Sequence, residues 1–369
     1  MPRRRALLQA LLPSMATLAP VSPPGVLIGL AALACAPAQA LPSRPLRFPR
    51  DHGAHPELRT EWWYLTGHLT AGTQQLGFQV TFFRSRVDAT RGMASAFAAR
   101  QLLFAHAAIT DVAAGRLWHD QRIARAGFGI AQAAQEDTRI RLQDWTLERQ
   151  ADGTYQARTP AQAFTLDLRF APTQPLLLQG QEGLSRKGPQ PAQASYYYSQ
   201  PQLQATGRVQ MKGRDWPVSG RAWLDHEWSE ALLHPDAVGW DWVGMNLDDG
   251  SALTAFRLRR ADGSTLWAGG SWRGPRGTTQ AFEATAVRFL PLRWWVSPAS
   301  QARYPVEWAV ETPAGRFTVH AVVDAQELDS RGSTGAIYWE GLSELRAAGG
   351  QAVGQGYLEM TGYAQPLRL

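Results

Sequence analysis

Beyond about residue 60 the chain runs in short stretches in which apolar and polar positions alternate. Phe164, Leu166, Leu168 and Phe170 fall on one face of such a stretch and Thr165, Asp167 and Arg169 on the other, which predicts a half-buried strand. Similar runs predict strands at 61–69, 76–83, 102–110, 139–148 and from Tyr196 onward. Further strands are predicted at 221–229, 239–247, 252–258, 282–289, 306–312 and 317–323. Turn signals separate them, among them Ala71-Gly72, Asp152-Gly153, Asp248-Asp249-Gly250 and Asp262-Gly263. No long window has a 3.6-residue period, so helix is confined to short pieces, placed here around 121–135. The expected fold class is all-β.

The two halves of the chain resemble each other. Glu61-Trp-Trp-Tyr-Leu-Thr-Gly-His-Leu69 with its turn and the strand at 78–84 matches Trp240-Asp-Trp-Val-Gly-Met-Asn-Leu247 with its turn and the strand at 253–259. Tyr197-Tyr198-Ser199 matches Tyr338-Trp339-Glu340, and Gly220-Arg-Ala-Trp-Leu-Asp225 matches Gly354-Gln-Gly-Tyr-Leu-Glu359. Three pieces in the same order indicate two copies of one unit, expected as tandem antiparallel β-barrels. Closing a sheet removes its exposed edges, and about eight strands leave room for one small ligand. The expected division is a leader at 1–40, a first barrel at 41–230 and a second at 231–369.

Composition adds a ligand class. The chain has fifteen tryptophans, a flat and amphipathic surplus that suits cavity lining as well as core. The formal charge is +6, of which Arg3, Arg4 and Arg5 supply three, so 6 − 3 leaves +3 without the leader. Lys187 and Lys212 are the only lysines and the arginines are scattered, which argues against nucleic acid as a partner.

Residues 1–40 read as an export signal. Three arginines precede an apolar stretch, and Ala38-Gln39-Ala40 supplies a small-residue cleavage site. Prolines at 13, 20, 23 and 24 argue against one continuous membrane helix, so no transmembrane segment is expected in the mature chain. The expected location is the periplasm or cell envelope. Cys35, the only cysteine, is either lost with the leader or carries a lipid anchor.

The densest chemistry is Arg221-Ala-Trp-Leu-Asp-His-Glu-Trp-Ser229, where Asp225, His226 and Glu227 sit between Trp223 and Trp228. On a strand His226 and Trp228 share one face while Asp225 and Glu227 share the other. The twin strand reads Glu359-Met-Thr-Gly362, so the shared acid reads as structural and His226, Glu227 and Trp228 as the addition. His226 suits a general acid/base, with Trp228 steadying a cation, or else donates to a neighbouring carboxylate. Asp225 and Glu227 complete the catalytic candidates. Glu61 precedes Trp62, Trp63 and Tyr64; it has its pKa raised by burial, or forms a salt bridge to an arginine such as Arg84. Trp223, Tyr197, Trp240 and Trp242 join these as candidate ligand-binding residues. The histidine and cysteine spacings match no metal site, and nucleotide and serine-hydrolase fingerprints do not occur, so no cofactor is expected.

Together, Glu61-Trp-Trp-Tyr-Leu-Thr-Gly, Trp223-Leu-Asp-His-Glu-Trp-Ser, Gly239-Trp-Asp-Trp with Leu247-Asp-Asp-Gly, and Gly356-Tyr-Leu-Glu-Met-Thr-Gly-Tyr resemble the AttH-like proteins. That group carries the label "predicted secreted hydrolase" and is related to the carotenoid 1,2-hydratases. The resemblance covers about 48–363 and implies tandem lipocalin-like barrels with an apolar ligand site in or between them. It implies an isoprenoid or acyl ligand that is hydrated, isomerised or hydrolysed, with His226 and Trp228 matching the hydratases' Asp-His-x-Trp motif. The hydratases' proton-donating aspartate and nearby tyrosine fall where this chain reads Leu253-Thr-Ala-Phe-Arg-Leu258. The alternative is a non-catalytic carrier of a lipophilic molecule, serving envelope export machinery.

Overall fold

The computed structural model describes residues 40–231 and 233–367. All but the last residue of the expected leader, Cys35 included, lies outside the described residues. The described chain is all-β, built as two antiparallel sheets of thirteen and ten strands in a lipocalin-like double barrel.

The first sheet opens with β1 (Thr60–Ala71), β2 (Gln74–Arg86), β3 (Gln101–Asp111) and β4 (Arg116–Arg125). Short strands follow: β5 (Ala131–Ala133), β6 (Arg139–Leu142), β7 (Trp145–Arg149), β8 (Tyr155–Pro160) and β9 (Phe164–Ala171). Two stubs, β10 (Leu177–Leu178) and β11 (Leu184–Arg186), precede the long pair β12 (Ala194–Met211) and β13 (Arg214–Ser229). The second sheet comprises β14 (Gly239–Leu247), β15 (Ala252–Arg259), β16 (Thr265–Arg273), β17 (Thr279–Phe282) and β18 (Arg288–Val296). It continues with β19 (Arg303–Thr312), β20 (Gly315–Ala321), β21 (Glu327–Ser330), β22 (Ala336–Ala347) and β23 (Ala352–Met360).

The repeat seen in the sequence is a repeat of topology. The centre of the first sheet runs β2-β1-β13-β12 and that of the second β15-β14-β23-β22. Each half therefore pairs its opening strand with both its hairpin partner and its closing strand. Equivalent residues also meet in register: Tyr64 lies across from Asp225, and Trp242 lies across from Glu359. The β1–β2 hairpin turns at Gly72, whose φ of 62° is open to glycine without a Cβ clash.

Alternation sets each sheet's inner face. Leu166, Leu168 and Phe170 are wholly buried with Leu65, Phe78, Val80 and Leu224 inside the first barrel. Val243, Leu253, Trp308, Val310 and Leu358 fill the second.

Three local expectations are corrected. The window 121–135 holds no helix: residues 121–125 finish β4, and Gly127, Phe128 and Gly129 all take positive φ, which breaks a right-handed helix before β5. The run 139–148 is two strands, β6 and β7, folded at Gln143 with φ 58°. The run 282–289 is broken by a 3-10 turn at Ala284–Ala286, and the strand after it extends to Val296.

The sheets meet along outward faces. Asn246 accepts from the Gln202 N–H at 2.8 Å and donates to the Ala222 carbonyl at 3.0 Å. Thr110 donates to Gln326 at 2.7 Å, and His106 Nδ1 lies 2.8 Å from the Tyr338 hydroxyl. Tyr64 and Trp242 pack edge to face at 5.3 Å, as do Trp223 and Trp242 at 6.3 Å.

Candidate functional site

The two faces of β13 serve two environments. Between the sheets lies a cavity of about 330 Å³ walled by Trp62, Tyr64, Tyr197, Trp240, Trp242 and Phe256. That volume falls within the roughly 300–1,000 Å³ usual for small-molecule sites. Trp62 and Tyr64 point outward from β1 because Trp63 and Leu65 point inward, as strand alternation requires.

Asp225 and Glu227 reach this cavity from β13. Asp225 accepts from Tyr197 Oη (2.6 Å), Ser199 Oγ (2.5 Å) and Trp223 Nε1 (2.6 Å). Burial pushes its pKa up to about 7; the three donors oppose the shift, and the charge of Glu227 adds to it. Trp242 Nε1 in turn donates to Tyr197 Oη at 3.2 Å, so both barrels orient this carboxyl. Glu227 takes the Ser195 hydroxyl and pairs with Lys187 Nζ at 3.0 Å.

The second barrel contributes two acids. Glu340 on β22 lies directly across from Glu359 on β23, and both line the cavity. Burial raises the Glu340 carboxyl well above its usual range, and the neighbouring Glu359 raises it further. Burial likewise lifts Glu359 to about 8; the Trp240 indole, donating at 3.1 Å, opposes this, while the charges of Asp225 and Glu227 add to it. The Tyr64 and Tyr338 hydroxyls face the Glu340 carboxyl and oppose its rise.

His226 faces the other way. It is wholly buried inside the first barrel, stacked on Trp63 at 4.6 Å and tilted against Trp228 at 4.6 Å. Its Nε2 lies 2.9 Å from Glu61 Oε1, and its Nδ1 lies 3.2 Å from Tyr198 Oη. Burial lowers its pKa to about 4 despite the Glu61 carboxylate, so the imidazole is neutral and donates to that carboxylate.

Glu61 is the hub of this interior network. It receives His226, His55 Nδ1 at 2.7 Å and Arg84 Nε at 2.7 Å. Burial favours the neutral acid, but the histidine hydrogen bonds and the Arg84 charge hold its pKa below the usual range. The expectation of a raised pKa is thereby corrected, and the salt bridge to Arg84 is the arrangement found. His55 continues the chain to Asp51 at 2.9 Å and stacks flat on Trp228 at 4.0 Å. Ligand atoms of His55, Glu61 and His226 lie within 4.8 Å of one another. Both histidines already turn a ring nitrogen onto the Glu61 carboxylate in hydrogen bonds, and Arg84 already places a cation on it.

The predicted residues therefore divide. Asp225, Glu227, Trp62, Tyr64, Tyr197, Trp240 and Trp242 line the cavity, and Glu61 borders it while its carboxylate belongs to the interior network. His226, Trp228 and Trp63 form the interior network, and Trp223 is buried at the seam, holding Asp225. Glu340, Glu359 and Lys187 were not among the candidates. The internal repeat held the signal for the first two, since it aligned Glu359 with Asp225 and Glu340 with Ser199 in the same register.

A double barrel with an aromatic, acid-lined cavity at its seam defines a class of lipocalin-like double-barrel proteins. The sequence profile of the AttH-like family matches residues 39–363, and the chain belongs to that family. A crystal structure from Nitrosomonas europaea assigned to AttH is 48% identical, with TM-score 0.83 over 88% of this chain and 99% of that one. Kievitone hydratase from Nectria haematococca superposes with TM-score 0.68 at 13% identity, covering 87% of this chain and 94% of its own. CghA gives TM-score 0.52 at 14% identity, over 91% and 96%. At those identities the last two likenesses concern the fold. No curated protein matches the sequence. Among the described residues no helix is long and apolar enough to cross a membrane.

Proposed function

We propose that this protein binds a lipophilic molecule, isoprenoid or acyl, in the cavity between the barrels, and hydrates a carbon–carbon double bond in it. The observation that carries the reading is the Glu340–Glu359 pair. Two buried carboxyls facing each other in an aromatic cavity hold at least one proton near neutral pH, as a general acid requires. A proton passes from this pair to the double bond. The aromatic walls steady the cation that develops, and Asp225, held by three donors, takes the proton of the attacking water. His226 keeps β1 and β13 in register through Glu61 and acts on the site only by position. The fold shared with a hydratase supports the reaction class. The leader pattern supports export to the periplasm or envelope.

Incubation with mixed isoprenoid and unsaturated acyl lipids in oxygen-18 water tests the reading. The wild type is expected to place the label in an organic product, and Glu359→Gln to reduce its rate ~10²-fold or more. A carrier is the second reading, favoured by the largely apolar wall. Lipid recovered unlabelled from the wild type would establish it in place of the hydratase.

A further inference from the structure

Lys187 is one of two lysines in the chain, and its placement is unusual. It is 6% exposed, lines the cavity, and enters from the loop after β11. Its Nζ sits over the rings of Tyr197 at 4.6 Å and Phe256 at 4.2 Å, with Glu227 at 3.0 Å as its one charged partner. Lys212 is the contrast: it pairs with a carboxylate too, Asp111, but it is 48% exposed, lies outside the cavity and meets a single ring at 5.8 Å.

We infer that Lys187 forms an iminium with the carbonyl carbon of a lipophilic aldehyde held in the cavity. The alternative ligand for a buried ammonium is an anion, but a second negative charge beside Glu227 would be repelled. An iminium instead keeps one positive charge on the same nitrogen, so the Glu227 ion pair and both ring contacts survive the reaction. A desolvated amine in an apolar pocket is the setting in which lysine acts as a nucleophile.

The step balances without an external reagent. The ammonium passes a proton to Glu227, and its lone pair attacks the aldehyde carbon while the carbonyl electron pair moves to oxygen. The carbinolamine then loses that oxygen as water, taking up the proton from Glu227, and the nitrogen lone pair closes the C=N bond. One ammonium and one aldehyde become one iminium and one water. With an α,β-unsaturated aldehyde the iminium also draws electrons from the double bond. The inference thus rests on the cavity of the proposed function and narrows its ligand class to lipophilic carbonyls.

The test is reductive trapping of the folded protein with decanal and cyanoborohydride, followed by peptide mapping. A single decyl group on Lys187 is expected, absent from Lys187→Arg, which keeps the charge and so controls for folding. Lys212→Arg should be labelled at Lys187 as well as the wild type, because Lys212 lies outside the cavity. No label on Lys187, or equal label on Lys187 and Lys212, would overturn the inference. Decanol, which has the same chain without a carbonyl, separates this failure from that of the cavity itself. Quenching of tryptophan fluorescence by decanol without trapping of decanal removes the iminium and keeps the site. No quenching by either removes both.

Discussion

Glu340 and Glu359 stand opposite each other across the β22–β23 ladder, and both face the cavity shared by the two barrels. Like charges directly opposite on a sheet are destabilising, the more so where water is excluded. The pair therefore retains a proton, and this gives it a pH-dependent effect on stability.

The sign follows from linkage. Glu359 has a folded pKa raised from 4.5 to about 8, so its stabilising contribution is full below about 4.5 and is lost as pH rises toward 8. Urea denaturation of Glu359→Gln should match the wild type at pH 4 and give a progressively larger relative gain between pH 5 and 9. A constant offset across that range would show that the pair does not hold the proton.

Glu61 has the opposite sign. Its pKa is held below the usual range, so its contribution is present above about 4.5 and is lost on acidification. Glu61→Ala strips the partner from buried Arg84 and should cost ~3–5 kcal/mol near neutral pH, measured by urea denaturation, with the difference shrinking in acid.

His226→Ala separates position from chemistry. The residue is sealed behind β13, so its loss should lower stability by ~2–4 kcal/mol through an emptied site and an under-satisfied Glu61. Turnover per folded molecule should fall less than ~10-fold, against the ~10²-fold or more expected of Glu359→Gln. A larger loss in His226→Ala with unchanged ligand affinity would return the imidazole to the chemistry.

The wall itself can be moved. A Cβ on Gly244 would meet the Trp242 ring at 2.3 Å and Trp223 at 3.2 Å. Gly244→Ala should therefore push Trp242 from its hydrogen bond to Tyr197, shift tryptophan emission and weaken ligand binding, read by native mass spectrometry of co-purified lipid.

The fold was largely legible in the sequence because its signals are local. Period-two alternation, Gly turns and the internal repeat led to two barrels, and the equivalent registers Tyr64–Asp225 and Trp242–Glu359 follow from that repeat. The division of β13 into an imidazole–indole face and a carboxylate face was legible for the same reason. Which face meets the cavity was not, because that depends on how two sheets dock and docking leaves no periodic mark. The Asp-His-Glu-Trp cluster drew attention to His226, while the cavity acids Glu340 and Glu359 are spread over two strands with ordinary neighbours. Lys187 sits in a loop with no pattern at all. The turn at 127–129 was missed because its positive-φ residues include Phe128, a residue type that seldom signals one.

Infrared difference spectroscopy on the ligand-free protein reads the shared proton itself. At pH 7 a protonated-carboxyl C=O band should be present, decline as pH passes through about 8, and lose most of its intensity in the double variant Glu340→Gln, Glu359→Gln, the remainder belonging to Asp225. A wild-type spectrum without that band at pH 7, or with a band unchanged in the double variant, would contradict the assignment of the pair as the proton source.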